Sequence, residues 1–376
     1  MVIGFDYRMG GSQNAGIGRY AHELLMSLLG FDTENYYKIF YHPQNCSAED
    51  LEALAKHPNA DLISANFRHY SISEQIGFLR LINKLHIDLF HFPNFNVPVL
   101  YKKPYVVTIH DLVHHRLSGH KKSTRLWFEG YKYVVSQAVK NSERIITVSQ
   151  SAKREIVGYF PEAEIKTEVI YEGRNLKPVL GPQVALVQKK YLIQKPYFLF
   201  VGTLERKKNV PYLAAAFSRF IEQHRIDMEL VIVGKEDSHH PEVKAEALDI
   251  KHKERVIFTN FVTDSDLARL YQGAYAFVTA STNEGFGLPG VEAMGFGLPV
   301  LCPDIPVFNE VYDNAGLFFD YNNENDLPEK MRFVCQDQLY YHQLREKSKA
   351  RSEAFSWVTC AQKTLKIYEN VRDLTS

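Results

Sequence analysis

At 376 residues the chain is too long for one ordinary hydrophobic core, and two domains are expected. Its 45% hydrophobic and 23% charged residues are those of a globular enzyme and exclude a fibrous or low-complexity chain. The 44 Lys and Arg balance the 44 Asp and Glu, so net charge argues neither for nor against a charged partner, and only local patches can. No nucleic-acid partner is expected.

The first apolar run, Val2–Asp6, leads into "GFDYRMGGSQNAGIGRY". After the strand, Gly10, Gly11, Gly16 and Gly18 lead into a helical pattern with apolar residues at Ile17, Tyr20, Leu24 and Leu28, and Gly30 is the expected stop. This is a phosphate-type loop at a helix start, but it is not GxGxxG, and no acidic ribose partner follows at the dinucleotide-binding distance. Further strands are expected at Tyr37–Tyr41, Leu62–Ala65, Ile87–Phe92, Tyr105–His110, Arg144–Val148 and Thr167–Tyr171. His110 and Asp111 close one of them, with Asp111 expected to orient the imidazole; a core histidine is the plainer alternative.

Residues 102–154 carry eleven Lys and Arg against three acids, a net of +8, interleaved with Trp127, Phe128, Tyr131 and Tyr133. An amphipathic helix with a basic face accounts for this; so does a surface for an anionic or lipid-linked acceptor or the inner face of a membrane. The Gly-, Pro- and Lys-containing segment 174–195 reads as a linker between domains 1–173 (with 357–376) and 196–356.

The strand series then repeats, at Tyr197–Gly202, Glu229–Gly234, Val256–Phe261, Ala276–Ala280, Pro299–Cys302 and Gly316–Phe319. Runs apolar on both faces and spaced by helices predict two doubly wound α/β domains. Past the first of these strands "VGTLERKKN" sets Arg206, Lys207 and Lys208 at a sheet edge; a metal-free diphosphate site needs such cations, although a solvated loop also carries them. Asp264 and Asp266 spell a DxD, but the following "LARLYQGA" makes a helix cap the better account.

"NEGFGLPGVEAMGFGLPV" (Asn283–Val300) carries GFGLP twice. Pro289 suits the first turn of a helix, Gly295 or Gly297 its end, and Pro299 the next strand. The first copy lies where a parallel strand ends, so its glycines and helix start suit a nucleoside diphosphate, with Glu292 for ribose hydroxyls and Glu284 for sugar hydroxyls. A tight turn with surface glutamates is the plainer alternative. A glycosidase pair lacks any sign of a raised carboxyl pKa. The last helix starts at Ser356 and runs to about Val371.

The spacing Glu-x7-Glu in "EGFGLPGVEAM" closely resembles retaining glycosyltransferases of family 4, which have the GT-B fold. "GIGRYAHELL", "VVTIHDL", "IITVSQSAKREI", "FVGTLERKKN", "LVIVG", "NFVTDSDLARLYQGA" and "FSWVTCAQKTLKIY" resemble that family's landmarks in its order. The resemblance implies two Rossmann-like domains facing a cleft, with the last helix crossing back to the first domain. It implies catalytic roles for His110, Glu284 and Lys208. It further implies donor contacts from Gly16, Gly18, Lys207, Phe261, Val262, Phe286, Gly287, Leu288 and Glu292. Thr203 stands where many members have arginine, and Lys207 or Arg206 is the expected substitute. The implied activity is transfer of a hexose, with GDP-mannose as the expected donor and UDP-hexoses next, to a saccharide or lipid-linked saccharide. The second domain would bind donor and the first acceptor. A same-fold nucleotide-sugar epimerase and a non-catalytic sugar-binding subunit are the alternatives. No metal and no cofactor beyond the donor is expected. Cys46, Cys302, Cys335 and Cys360 lack metal-like spacing, and no leader or spanning segment is evident, which predicts a cytoplasmic protein.

Overall fold

The computed structural model describes residues 1–11, 16–112, 125–175 and 183–375. It divides into two compact units, Met1–Gly173 with Ser356–Ser376, and Arg174–Phe355. Among the described residues the first unit holds seven strands: β1 (Val2–Asp6), β2 (Tyr36–Tyr41), β3 (Ala60–Ser64), β4 (Leu89–Phe92), β5 (Tyr105–Ile109), β6 (Arg144–Thr147) and β7 (Thr167–Val169). They form one sheet in the order β3-β2-β1-β4-β5-β6-β7. The second unit holds β8 (Tyr197–Val201), β9 (Glu229–Val233), β10 (Val256–Asn260), β11 (Ala276–Val278), β12 (Val300–Pro303) and β13 (Gly316–Phe319), in the order β10-β9-β8-β11-β12-β13. Every pairing is parallel. Strand order reverses between β1 and β4 in one sheet and between β8 and β11 in the other, the two places where doubly wound sheets open a crevice for ligands.

The central strands are apolar on both faces because helices cover both. β9 is buried throughout, and the β8–β9 layer packs on the apolar face of the helix Val210–His224 through Leu213, Phe217 and Phe220. In the first unit Phe90, Phe92, Tyr101 and Tyr105 build an aromatic core, with Phe90 and Phe92 stacked at 4.3 Å between ring centres.

Several local expectations change. The helix Ile17–Phe31 runs through Gly30 and ends at Asp32, whose backbone is extended. Asp32 makes that stop worthwhile: its carboxylate accepts from the amides of Glu34 and Asn35, from Asn35 Nδ2, and from the Tyr37 hydroxyl at 2.6 Å. Burial pushes this carboxyl up, but the Tyr37 and Asn35 hydrogen bonds outweigh burial and hold it below its ordinary value. The residues expected to link the domains, 174–195, fall in the second unit, where Gln183–Lys190 is helical; residues 176–182 lie outside those described. Asp264 does not cap its helix. Thr263 is the cap, its hydroxyl accepting from the Asp266 amide at 3.2 Å, and the two aspartates occupy the first turn where the helix dipole favours them.

The last helix, Trp357–Thr375, belongs to the first unit. Its Tyr368 hydroxyl meets Nδ1 of His91 at 2.5 Å; Nε2 of His91 meets Thr108 Oγ1 at 2.9 Å, and that hydroxyl meets Tyr20 at 3.1 Å. All four side chains are wholly buried. Burial, and then the neighbouring His110, push the His91 imidazole down to about 3. The unfolded chain therefore binds a proton there that the folded chain refuses. Stability carried by neutral His91 is full above about pH 6.5 and falls as pH drops toward 3, at about 1.4 kcal/mol per pH unit for one proton. Urea unfolding between pH 7 and 4 should show this slope, and His91→Gln should flatten it; an equal slope in the variant would assign the acid sensitivity elsewhere.

Candidate active site

The second unit assembles its candidate site from the loops after β8 and β11, which are paired neighbours. Past β8 the chain turns at Gly202, where the approach to Gly234 leaves no room for a side chain: a Cβ on Gly234 would lie 1.9 Å from the Gly202 carbonyl oxygen, and Gly234 has φ +153. A short turn, Arg206–Lys208, then leads through left-handed Asn209 (φ 50) into the helix Val210–His224. The Thr282 amide donates to the Lys207 carbonyl at 2.8 Å and ties this turn to the loop after β11. Lys208 Nζ is thereby set on Glu284 Oε1 in a hydrogen-bonded ion pair whose side chains are 15% and 13% exposed. Burial pushes the Glu284 carboxyl up; the charges of Lys208 and Lys207, with a hydrogen bond from Ser281, overcome that and hold it below the usual carboxylate range. Glu284, held as a carboxylate, thus shares a mostly buried site with Lys208.

The helix Leu288–Gly295 starts beside this pair. Its cap Gly287 has φ +96, and its carbonyl accepts from the Tyr312 hydroxyl at 2.8 Å. A Cβ on Gly287 or Gly290 would come within 2.4 or 2.3 Å of that hydroxyl, so both positions require glycine. Gly297 (φ +70) closes the other end: its amide bonds the Met294 carbonyl and the Leu298 amide the Ala293 carbonyl, a Schellman motif.

Other candidates separate. Glu292 is 3% exposed and accepts from the Tyr271 hydroxyl at 3.2 Å. Phe286 is buried with its ring edge-on to Phe355, and Leu288 is half-buried. Phe261 is 48% exposed with Lys235 Nζ 4.5 Å above its ring, while Val262 is buried. The Arg206 guanidinium spans Glu242 and Glu246 rather than joining the Lys208–Glu284 pair. Lys207 lies 3.6 Å from Glu205 and near enough to Glu284 to lower its carboxyl. The DxD aspartates are apart from it, with Asp266 bound to Lys190 and Tyr191.

In the first unit Gly16 caps the helix Ile17–Phe31 with φ +58, and Gly18 is buried; residues 12–15 of that loop lie outside those described. His110 follows β5, with Nε2 3.1 Å from the Pro93 carbonyl and Nδ1 3.4 Å from Glu172 Oε1. The acid facing the ring is Glu172, not the expected Asp111. In the basic stretch Arg116, Lys121 and Lys122 lie outside the described residues, as do the side chains of Arg125 and Trp127. Of the rest, Tyr131 is in the core, Lys132 pairs with Glu129 and covers Phe128, and Tyr133 is 57% exposed. No described helix is long and apolar enough to cross a membrane.

Sequence reasoning missed Ser281, Tyr312, Lys235, Tyr271 and Glu172. Lys235, directly after a strand-ending glycine, had a sequence signal; the others needed tertiary neighbours.

Residues 15–177 match the family described as Glycosyltransferase Family 4, and residues 186–351 match Glycosyl transferases group 1. The chain is 30% identical to the putative glycosyltransferase YtcC of Bacillus subtilis over 76% of its own length and 73% of that protein. The chain belongs to the family 4, group 1 glycosyltransferases. This glycosyltransferase is also 27% identical to O-antigen chain mannosyltransferase B of Escherichia coli, over 94% of its length and 96% of the relative. Its fold, GT-B, superposes on sucrose-phosphate synthase of Thermosynechococcus elongatus with TM-score 0.78 at 18% identity, covering 99% of both chains.

Replacing Lys208 by Met should leave Glu284 buried without its nearest cation. Breaking a fully buried pair costs roughly 3–5 kcal/mol, and residual exposure reduces that here to ~2 kcal/mol. The double variant Lys208→Met, Glu284→Gln should recover most of the loss in denaturant unfolding. Equal stability of wild type and Lys208→Met would mean the pair is not formed in solution.

Proposed function

We propose that the enzyme moves a mannosyl group from GDP-mannose to a hydroxyl of a saccharide or lipid-linked saccharide, retaining the anomeric configuration and needing no metal. The observation that carries this is the Lys208–Glu284 pair beside the start of the helix Leu288–Gly295. A nucleoside diphosphate sugar offers both partners something better than each other. Lys208, with Lys207 and the helix amides, takes the diphosphate; Glu284 takes sugar hydroxyls. These contacts strengthen as the leaving diphosphate gains charge, which is where rate is gained. Glu292 is assigned the ribose, in exchange for its Tyr271 contact, and Phe261, Val262, Phe286, Gly287 and Leu288 the remaining donor surface.

The first unit receives the acceptor and supplies His110, Gly16 and Gly18. No side chain is assigned as covalent nucleophile, so same-face attack assisted by the leaving phosphate accounts for retention. Mannose is supported by the relative's name, O-antigen chain mannosyltransferase B. The reading places the enzyme in the cytoplasm, at the inner face of the membrane through the basic stretch 102–154.

Melting curves with GDP, UDP, ADP and dTDP, each with excess EDTA, test this directly. At 100 times its Kd the true nucleotide stabilises by about 2.7 kcal/mol, a rise of roughly 5–10 °C for a unit of this size. GDP should give that rise, and transfer from GDP-mannose should survive the chelator. A shift with UDP alone would replace the donor, and activity lost with EDTA and restored by Mn²⁺ would replace the metal-free mechanism.

A further inference from the structure

The carboxyl edge of the first sheet holds a buried acid to which the mechanism above gives no role. Glu172 follows β7, is 6% exposed, and its Oε1 lies 3.4 Å from Nδ1 of His110. The opposite ring nitrogen, Nε2, lies 3.1 Å from the carbonyl oxygen of Pro93, after β4. A carbonyl only accepts, so Nε2 carries a proton. The Tyr20 ring meets the imidazole edge-on, 4.6 Å between centres at 87°. Contacts from three different elements thus fix the plane of one imidazole.

A lone pair on Nδ1 would face a carboxylate oxygen and be repelled. A proton on Nδ1 turns the same contact into an attraction between unlike charges at ion-pair distance. We infer that Glu172 is a positioning residue for His110, holding a proton on Nδ1 and the ring in one orientation. The inference rests on the reading of His110 as a catalytic group. Asp111, the adjacent acid, lies toward Tyr70 and Tyr131, whose hydroxyls feel its charge. The carboxylate beside Nδ1 comes instead from the segment after β7. The other ionisable groups felt at Glu172 are the Tyr20 hydroxyl and the Cys360 thiol, with Lys363 beyond the thiol. Burial holds both hydroxyl and thiol protonated, so neither brings a charge to Glu172.

The full chain labelled with ¹⁵N-histidine gives a test that does not require turnover. Wild type should show a slowly exchanging Nδ1–H, resolved from the Nε2–H held on the Pro93 carbonyl, and absent from His110→Ala. Glu172→Gln should abolish it, and Glu172→Asp, which keeps the charge, should retain it. Absence in wild type, or persistence in Glu172→Gln, would overturn the inference. In parallel, release of GDP from GDP-mannose, or from whichever nucleotide sugar the melting screen selects, should fall in kcat by about 10–100-fold for Glu172→Gln, a part of the roughly 10²–10⁴-fold that a positioned acid or base contributes. Donor KM should stay unchanged and Glu172→Asp should recover part of the rate. The double variant should be no slower than His110→Ala, because the acid acts only through the ring. A slow His110→Ala beside a normal Glu172→Gln rejects the inference alone; normal turnover in His110→Ala rejects the catalytic reading with it.

Discussion

Every strand in both sheets runs in the same direction as its neighbours, and a parallel sheet cannot be built from hairpins. Each strand must be followed by a crossing that carries the chain back to the starting edge. All the loops that follow strand ends are therefore delivered to one edge of each sheet, whatever their order in sequence. Where strand order reverses, successive crossings leave to opposite faces and the edge is open. Lys208 and Glu284 are 76 residues apart yet share an ion pair, because β8 and β11 are paired across that reversal. The same geometry sets His110, after β5, against the carbonyl of Pro93, after β4, and the carboxylate of Glu172, after β7.

What the sequence made legible follows from this constraint. Doubly covered strands are short apolar runs, and all thirteen described strands fall within a few residues of such runs. Glycine punctuation was legible in part: the end of the helix Leu288–Gly295 was expected at Gly295 or Gly297, and Gly297 is the one with positive φ. It misled at Gly30, because a glycine pattern cannot reveal that Asp32, two residues on, has Asn35 and Tyr37 waiting for its carboxylate. Charge runs were ambiguous for a similar reason. Arg206, Lys207 and Lys208 are consecutive, yet the first is drawn away by Glu242 and Glu246 on another helix, and only the structure separates it from Lys208. Asp111 was the acid nearest to His110 in sequence; Glu172 is the one beside its Nδ1 in space.

The first unit also buries a chain of polar groups inside an otherwise apolar layer. Tyr368, His91, Thr108 and Tyr20 come from the last helix, two strands and the first helix, and each finds its partner in another. A partly satisfied network of this kind would cost more than an apolar core; a connected one specifies which helix covers the sheet. It selects the final helix for the first unit although the second unit intervenes in sequence. Tyr20 ends this chain and its ring abuts His110, so the packing that fixes the fold also fixes the orientation of the candidate catalytic ring.

The reversal in the second sheet, at Lys208, Glu284 and the start of the helix Leu288–Gly295, is the place proposed for the nucleoside diphosphate. Amide hydrogen exchange of the full chain, with and without saturating GDP, reads this directly, since each loop reports its own opening. Slowed exchange is expected in 202–209, 261–262 and 284–292, with little change in the second unit's remaining surface. Bound GDP that leaves 202–209 and 284–292 unprotected is the opposite result.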